Sequence, residues 1–302
     1  MSQPNTLKLA SSDRSAGAKA VVAMPDRSRL HRLRLADEPE VLEFLKMRPV
    51  HTVVMASFIQ DNGLESPNNR GKFYSYRNSA GTLEGVALIG HSTLVEARTE
   101  DALVAFAVIA RESGTPIHIM MSDGDSIERF WQYYAGGDRQ PRLVCEERLF
   151  EIKYPVMVRE TVPGLRPATV AELMPVAEAH ALVAFEESGV NPLEKDREGY
   201  LKRVLRRIEQ DRVWVVFAGD TLVFKADIIA ETSDVMYLEG IYVDPENRGK
   251  GLGANCLSQL SRVLLEKVKY VCMLSNVDYR QAHNAYQKAG FKSKDCCVTI
   301  FV

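Results

Sequence analysis

The sequence predicts an α/β (α+β) protein made of two related units. Three observations carry that prediction. The chain has 302 residues, about two domains at roughly 150 residues each. Hairpin text occurs twice, with Lys72–Asn78 and Leu83–Gly90 flanking Ser79-Ala80-Gly81, and Arg212–Ala218 and Leu222–Ile229 flanking Gly219-Asp220. Each hairpin leads to a helix and then to a short strand with similar letters. These are Met120-Met121-Ser122 ahead of Trp131-Gln132, and Met273-Leu274-Ser275 ahead of Tyr286-Gln287. Leu83 and Leu222 lie 139 positions apart and Trp131 and Tyr286 lie 155 apart, so the first unit is 16 residues shorter between these landmarks.

The elements follow in order. Residues 1–29 are rich in Ser, Ala, Lys and Arg without a helical or strand period, which reads as a flexible tail. In the first unit, 30–154, a helical stretch at 37–61 is broken at Pro49 and ended by Asp61-Asn62-Gly63. After the hairpin, residues 100–113 place Ala102, Leu103, Phe106 and Ile109 at helical spacing. Pro116–Met121 is a strand, Asp125–Ala135 a helix and Leu143–Ile152 a strand. Phe130, Trp131, Tyr133 and Tyr134 read as core packing. Pro155 and Pro163-Gly164 mark the boundary. The second unit, 155–302, reads as a strand at Val156–Arg166, helices at 169–187 and 193–210, the second hairpin, and a strand at Val235–Val243. A Gly-rich turn at 248–253 then opens a helix to about 268, followed by a strand at Tyr270–Leu274, a helix at 279–289 and a last strand at Val298–Val302.

Composition narrows the function. Lys and Arg total 38 against 40 Asp and Glu, a net charge of −2, which disfavours a general nucleic-acid binder. No apolar run approaches the ~18 residues of a membrane helix, and the N-terminus lacks a secretory pattern. The cysteines, Cys145, Cys256, Cys272, Cys296 and Cys297, are odd in number and lack CxxC spacing. They read as reduced thiols of a cytoplasmic protein, with Cys296 and Cys297 on opposite faces of a strand. The histidines form no ligand cluster, so no metal is expected.

The chemistry concentrates in Val235–Gly253, VMYLEGIYVDPENRGKGLG. A strand ends at Asp244-Pro245, and Arg248-Gly249-Lys250-Gly251-Leu252-Gly253 opens a helix. Free amides at a helix start bind phosphate, glycines let the backbone approach, and Arg248 and Lys250 add charge. A P-loop would need Gly-Lys-Ser/Thr, which is absent, and a dinucleotide fingerprint would need an acidic residue where the next strand ends Leu274-Ser275-Asn276.

Here the sequence resembles the GNAT N-acetyltransferases. Their acetyl-CoA motif, Arg/Gln-x-x-Gly-x-Gly/Ala after a strand, is matched by Arg248, Gly251 and Gly253. Downstream, Asn276, Ala282, Tyr286, Gly290 and Phe291 follow in the family's order. Phe224-Lys225-Ala226-Asp227 and the surrounding text also resemble a bacterial subfamily in which an uncharacterised GNAT-like domain precedes the catalytic one. The resemblance implies tandem GNAT-like domains, each a mixed, mostly antiparallel sheet flanked by helices.

It further implies that acetyl-CoA, as co-substrate and with no metal, sits on the amides of Gly249, Lys250, Gly251, Leu252, Gly253 and Ala254. Its pantetheine arm would lie along Ile241, Tyr242 and Val243, with a free amide there stabilising the oxyanion. Many GNATs carry a second Asn where this chain has Tyr279, so either Asn276 substitutes for it or Tyr279 stacks on the cofactor. The resemblance implies Tyr286 as the general acid for the departing thiolate. Glu239, placed by period two on the same face as Ile241 and Val243, is the first candidate base, and Asp227 on the neighbouring strand the second.

The first unit lacks the loop and carries Trp131 in place of Tyr286. It is expected to be catalytically silent, walling the acceptor site or forming homodimer contacts. Asn69-Arg70-Gly71-Lys72 reads as a solvated turn. The function expected is transfer of acetyl to a small-molecule or peptide primary amine. The alternatives are a non-catalytic acyl-CoA-binding sensor and a longer-acyl or aminoacyl transferase. Acceptor choice is expected from 169–210, where Glu186 and Glu187 stand against the basic residues Lys202, Arg203, Arg206 and Arg207.

Overall fold

The structure, a computed structural model, describes residues 26–302 apart from 138, 158 and 159. The expected tail therefore lies outside the described residues up to position 25, and Arg27–Arg29 form a short 3-10 turn. The first half contains β1 (Leu30–Arg32), α1 (Glu38–Lys46), α2 (Pro49–Asn62), β2 (Gly71–Arg77), β3 (Leu83–Gly90), β4 (Ser92–Ala97), α3 (Glu100–Glu112), β5 (Ile119–Asp123), α4 (Gly124–Ala135) and β6 (Leu143–Ile152). The second contains β7 (Arg166–Pro167), α5 (Leu173–Ser188), α6 (Pro192–Lys195), α7 (Arg197–Glu209), β8 (Val213–Ala218), β9 (Thr221–Glu231), β10 (Val235–Val243), α8 (Leu252–Leu264), β11 (Tyr270–Asn276), α9 (Arg280–Lys288) and β12 (Lys292–Phe301).

Local chemistry accounts for most boundaries. Pro49 occupies the first turn of α2, where its missing amide costs nothing, so it starts a second helix rather than kinking one. Gly63 ends α2 at φ +78°. Thr99 caps α3 and Asp123 caps α4 through their side-chain oxygens. Along α8, Cys256, Leu257, Leu260 and Leu264 are buried at helical spacing against the sheet.

Both halves run through the same order. β2, β3 and β4 pair antiparallel and β4 pairs parallel with β5, while β8, β9 and β10 pair antiparallel and β10 pairs parallel with β11. The final strands are exchanged. β6 of the first half pairs with β11, β12 of the second half pairs with β5, and β6 and β12 pair with each other. The result is one twelve-stranded sheet, β1-β2-β3-β4-β5-β12-β6-β11-β10-β9-β8-β7. Each half is completed by the other's last strand, and the sheet edges are only the short β1 and β7, a blunt ending that resists edge pairing. The halves also meet through α2. Its Val50 and Val53 pack with Ala230, Val235 and Tyr237, and Asp61 takes a bidentate pair from Arg212 at 2.6 and 3.0 Å.

Several expectations are corrected. The strand expected at Val156–Arg166 reduces to β7 at 166–167, because Pro155 and Pro163 cannot donate to a ladder and Gly164 turns the chain at φ +80°. The sequence reading omits β4, which only His91 separates from β3. β12 begins at Lys292 rather than Val298, and its first residues are exposed and polar, without an apolar signal. The helix at 193–210 is two helices, α7 starting at an Asp196 cap. Phe130 and Tyr134 are buried in the first-half core with Trp131 and Tyr133 against it, and Cys296 is exposed while Cys297 is buried. Arg70 takes a left-handed φ of +50° in the turn that precedes β2.

Candidate active site

The site is organised by a bulge in β10. Glu239 stands opposite Asp227 and Tyr242 opposite Lys225, so Gly240 and Ile241 face the single residue Ala226 of β9. Gly240 has φ +57°, and a Cβ there would lie 2.8 Å from Nδ1 of His180 and 3.1 Å from Nζ of Lys225. Both geometry and space demand glycine. The extra residue inverts the alternation of the strand. Leu238 packs under α8, and beyond the bulge so do Ile241 and Val243. Glu239, the partner of Asp227, lies on the opposite face, toward α5 and α7. The expectation that Glu239 shares a face with Ile241 and Val243 is thereby corrected.

A buried ionic cluster braces the bulge. The Lys225 ammonium, with no exposed surface, donates to the Gly240 carbonyl at 3.0 Å and to Oδ1 of Asp227 at 2.6 Å. Oδ2 of Asp227 lies 2.8 Å from Nδ1 of His180 and 3.5 Å from Arg207. Burial alone would raise the Asp227 carboxyl, but Lys225, His180 and Arg207 together hold it below the usual carboxylate range. Asp227, the second candidate base, is thus engaged as a counter-ion and does not line the cavity.

A cavity of about 830 Å³ runs from the bulge to the start of α8, a size suited to a substantial ligand. Glu239, Ile241, Tyr242, Val243, Arg248, Gly249, Gly251, Leu252, Gly253, Ala254, Asn276, Tyr279 and Tyr286 all line it. Lys250, of the predicted loop residues, does not. The loop's three glycines have separate reasons. Gly249 and Gly251 take φ of +74° and +88°, and a Cβ on Gly253 would stand 3.1 Å from Cγ2 of Val243, where α8 packs on β10. No side chain caps α8, so its first-turn amides are left to an outside acceptor. Arg248 is anchored by donating from Nε to the Val243 carbonyl at 2.9 Å.

Tyr286 projects from α9, 8% exposed, with its ring edge-on to Phe150 of β6 at 5.4 Å. Burial pushes its phenol up to about 12. Tyr279 donates to the Glu186 carbonyl at 3.5 Å, linking α9 to the end of α5. Asn276 spends its side-chain oxygen on the Asp278 amide at 2.9 Å. Burial raises the Glu239 carboxyl, opposed by Arg207 and Lys225.

The cavity also holds Glu147, Thr299 and Ser275, to which the sequence assigns no role, and Glu186 and Glu187, which fall in the stretch expected to choose the acceptor. Glu147 and Thr299 arrive on β6 and β12, and Thr299 donates to the Glu147 carboxylate at 2.5 Å. Glu186 and Glu187 arrive from the last turn of α5, and Ser275 from β11. Burial pushes Glu147 to about 7 even with the Thr299 bond. Glu187 has accessible surface, but on the cavity wall. Burial, reinforced by Glu239 and Glu147, pushes its carboxyl to about 8. The basic residues of α7 are engaged elsewhere, Lys202 with Glu198, Arg203 with Asp196, Arg206 with Asn62 and Arg207 with Asp227.

The corresponding cleft of the first half, between Val95–Glu96 and Ser122–Asp123, holds a cavity of only about 60 Å³. Ser122 of β5 donates to the Val95 carbonyl of β4 at 2.8 Å, and Arg48 bridges Glu96 and Asp123 at 3.0 Å each. Only Arg98 and Thr99 join β4 to α3, whose first turn carries Glu100 and Asp101, whereas residues 244–251 join β10 to α8. An acidic, capped helix start repels an anion. Among the described residues, no group of three or more His, Cys, Asp or Glu is placed to hold a metal, and no helix is long and apolar enough to cross a membrane.

Comparison with known proteins agrees with this geometry. Residues 209–293, from the end of α7 through the loop and Tyr286, match the family model described as an acetyltransferase (GNAT) domain. The fold of most of the chain is shared with solved structures. A GNAT-family acetyltransferase from Colwellia psychrerythraea has a TM-score of 0.55 at 11% identity, over 90% of this chain and 98% of that one. A Drosophila protein has a TM-score of 0.67 at 11% identity, over 91% and 98%. A tandem GNAT protein from the clavulanic acid biosynthesis pathway has a TM-score of 0.56 at 13% identity, over 90% and 97%. No curated protein matches the sequence significantly. Residues 209–293 thus match a GNAT domain model, and the chain as a whole shares its fold with solved GNAT proteins, a tandem one included.

Proposed function

We propose that the chain is an acetyl-CoA-dependent N-acetyltransferase acting on a primary amine. In this reading the active site lies in the second unit, 155–302, and the first unit, 30–154, is catalytically silent but supplies β6 as a wall. The observation that carries it is that the uncapped Gly-rich start of α8, Glu239 and Tyr286 all line one cavity that crosses the sheet at the β10 bulge. The co-substrate's phosphates fit the amides of Gly249–Ala254, with the thioester reaching the bulge. A bulge leaves its extra residue out of the ladder, so an amide there is free to hold the developing oxyanion.

The residues divide the proton work. The amine nitrogen forms a C–N bond to the acetyl carbon as the C–S bond breaks. Glu239 accepts a proton from the nitrogen, and the Tyr286 phenol donates one to the departing sulfur. The phenolate then recovers a proton, so amine and thioester become amide and thiol. A raised carboxyl suits a base working near neutrality, and a phenol near 12 stays protonated until sulfur needs it. A sensor that kept only the loop would have no use for both groups in its cavity. Thiol release from acetyl-CoA over a panel of primary amines tests the reading. Amine-dependent release supports it, and none with any amine contradicts it.

A further inference from the structure

The acyl-acceptor side of the cavity carries more carboxyl groups than the transfer step uses. Glu147 on β6, Glu187 on α5 and Glu239 on β10 converge from three elements, with Glu186 beside them. Among the described residues none of these carboxylates forms an ion pair. The cations nearest to Glu239, Lys225 and Arg207, face Asp227 instead. The cations that do line the cavity, Arg248, Arg280 and Lys288, belong to the loop and to α9.

The fold gives no structural reason for this charge. Glu186 and Glu187 sit in the last turn of α5, at the negative end of the helix dipole, where a carboxylate is disfavoured. Like charges packed together are destabilising until an opposite charge arrives. A second polar group faces the cavity. Ser275 is 6% exposed and lies on the cavity wall beside the Tyr286 phenol, and its hydroxyl makes no hydrogen bond of good geometry among the described residues. The carboxylates are not disposed as a metal site.

We infer that the acceptor is a diamine or longer polyamine, one nitrogen delivered to Glu239 while a second, still protonated, is held between Glu147 and Glu187. This inference rests on the acetyl-transfer reading and specifies its substrate class. The second ammonium supplies the opposite charge that the wall lacks, and charge-assisted hydrogen bonds to two carboxylates fix its position. The arriving ammonium favours the ionised forms of Glu147 and Glu187, whereas a monoamine offers them no partner and an amine bearing a carboxylate places a like charge beside them.

The test uses full-length protein, acetyl-CoA and three amines of one chain length, namely 1,4-diaminobutane, butylamine and 4-aminobutanoate, with thiol release as the readout. The diamine is expected to exceed butylamine in kcat/KM by about tenfold or more, and 4-aminobutanoate to be poorest. Glu187→Gln and Glu147→Gln are expected to collapse the diamine-to-butylamine ratio toward one through KM for the diamine, with melting temperatures no lower than that of the parent. Turnover that prefers butylamine or 4-aminobutanoate, or a ratio unmoved in stable variants, overturns the diamine inference alone. No release with any of the three overturns it together with the acetyl-transfer reading.

Discussion

The buried ammonium of Lys225 and the carbonyl of Gly240 are joined by a 3.0 Å hydrogen bond across the bulge of β10. That bond connects a cluster remote from the co-substrate loop to the backbone that aims the reacting groups. Lys225 also holds Asp227 at 2.6 Å, so removing it strands a buried carboxylate. Lys225→Met is expected to cost about 3–5 kcal/mol of stability, as breaking a buried pair does. Lys225→Met combined with Asp227→Leu should cost less than Lys225→Met alone. Urea unfolding of both variants checks this, and a double variant weaker than the single one contradicts it.

Gly251 is N-cap to α8 at φ +88°. Gly251→Val combines backbone strain of about 1–3 kcal/mol with a side chain at the anion site. Acetyl-CoA affinity measured by calorimetry should fall by tenfold or more. The dependence on amine identity should not change.

The raised carboxyls predict a pH dependence of stability. Glu147 near 7 and Glu187 near 8 hold protons in the folded protein that they release near 4.3 when unfolded. The folded state then binds more protons, so their contribution to stability falls as pH rises from about 4.5 to 8. Glu187→Gln removes one such cost. Thermal melts should show the variant more stable than the parent at pH 8 and little different at pH 5.

Glu239 acts as base only when ionised, so kcat/KM should rise with pH through its raised pKa. Glu239→Gln should lose that acid limb and about 10² or more in kcat. A pH–rate profile of the variant that keeps the limb assigns it to another group, with Glu147 and Glu187 the nearest candidates.

How much of this was legible in the sequence depends on how local each feature is. The Arg248–Gly253 loop, its helix and Tyr286 form one continuous stretch, and every loop residue named except Lys250 reaches the cavity. The bulge was missed because period-two reasoning was carried through Gly240, although a glycine inside a strand is itself a bulge signal. Glu147 was out of reach, since it enters the site only because β6 leaves its own half to pair with β11. Strand exchange leaves no local trace, as both partners are ordinary amphipathic strands. In the sequence Glu187 is one charge of a mixed helical region, and only the packing of α5 over β10 shows which charges face inward.

In the proposed reaction thiol release occurs in this cavity with Tyr286 as proton donor. Its most direct test is steady-state thiol release by wild type and Tyr286→Phe, with 1,4-diaminobutane as acceptor and acetyl-CoA affinity measured alongside. With Tyr286 as donor, kcat of the variant should fall about 10²-fold or more while acetyl-CoA affinity changes by less than about threefold. Equal turnover by the two proteins would contradict it.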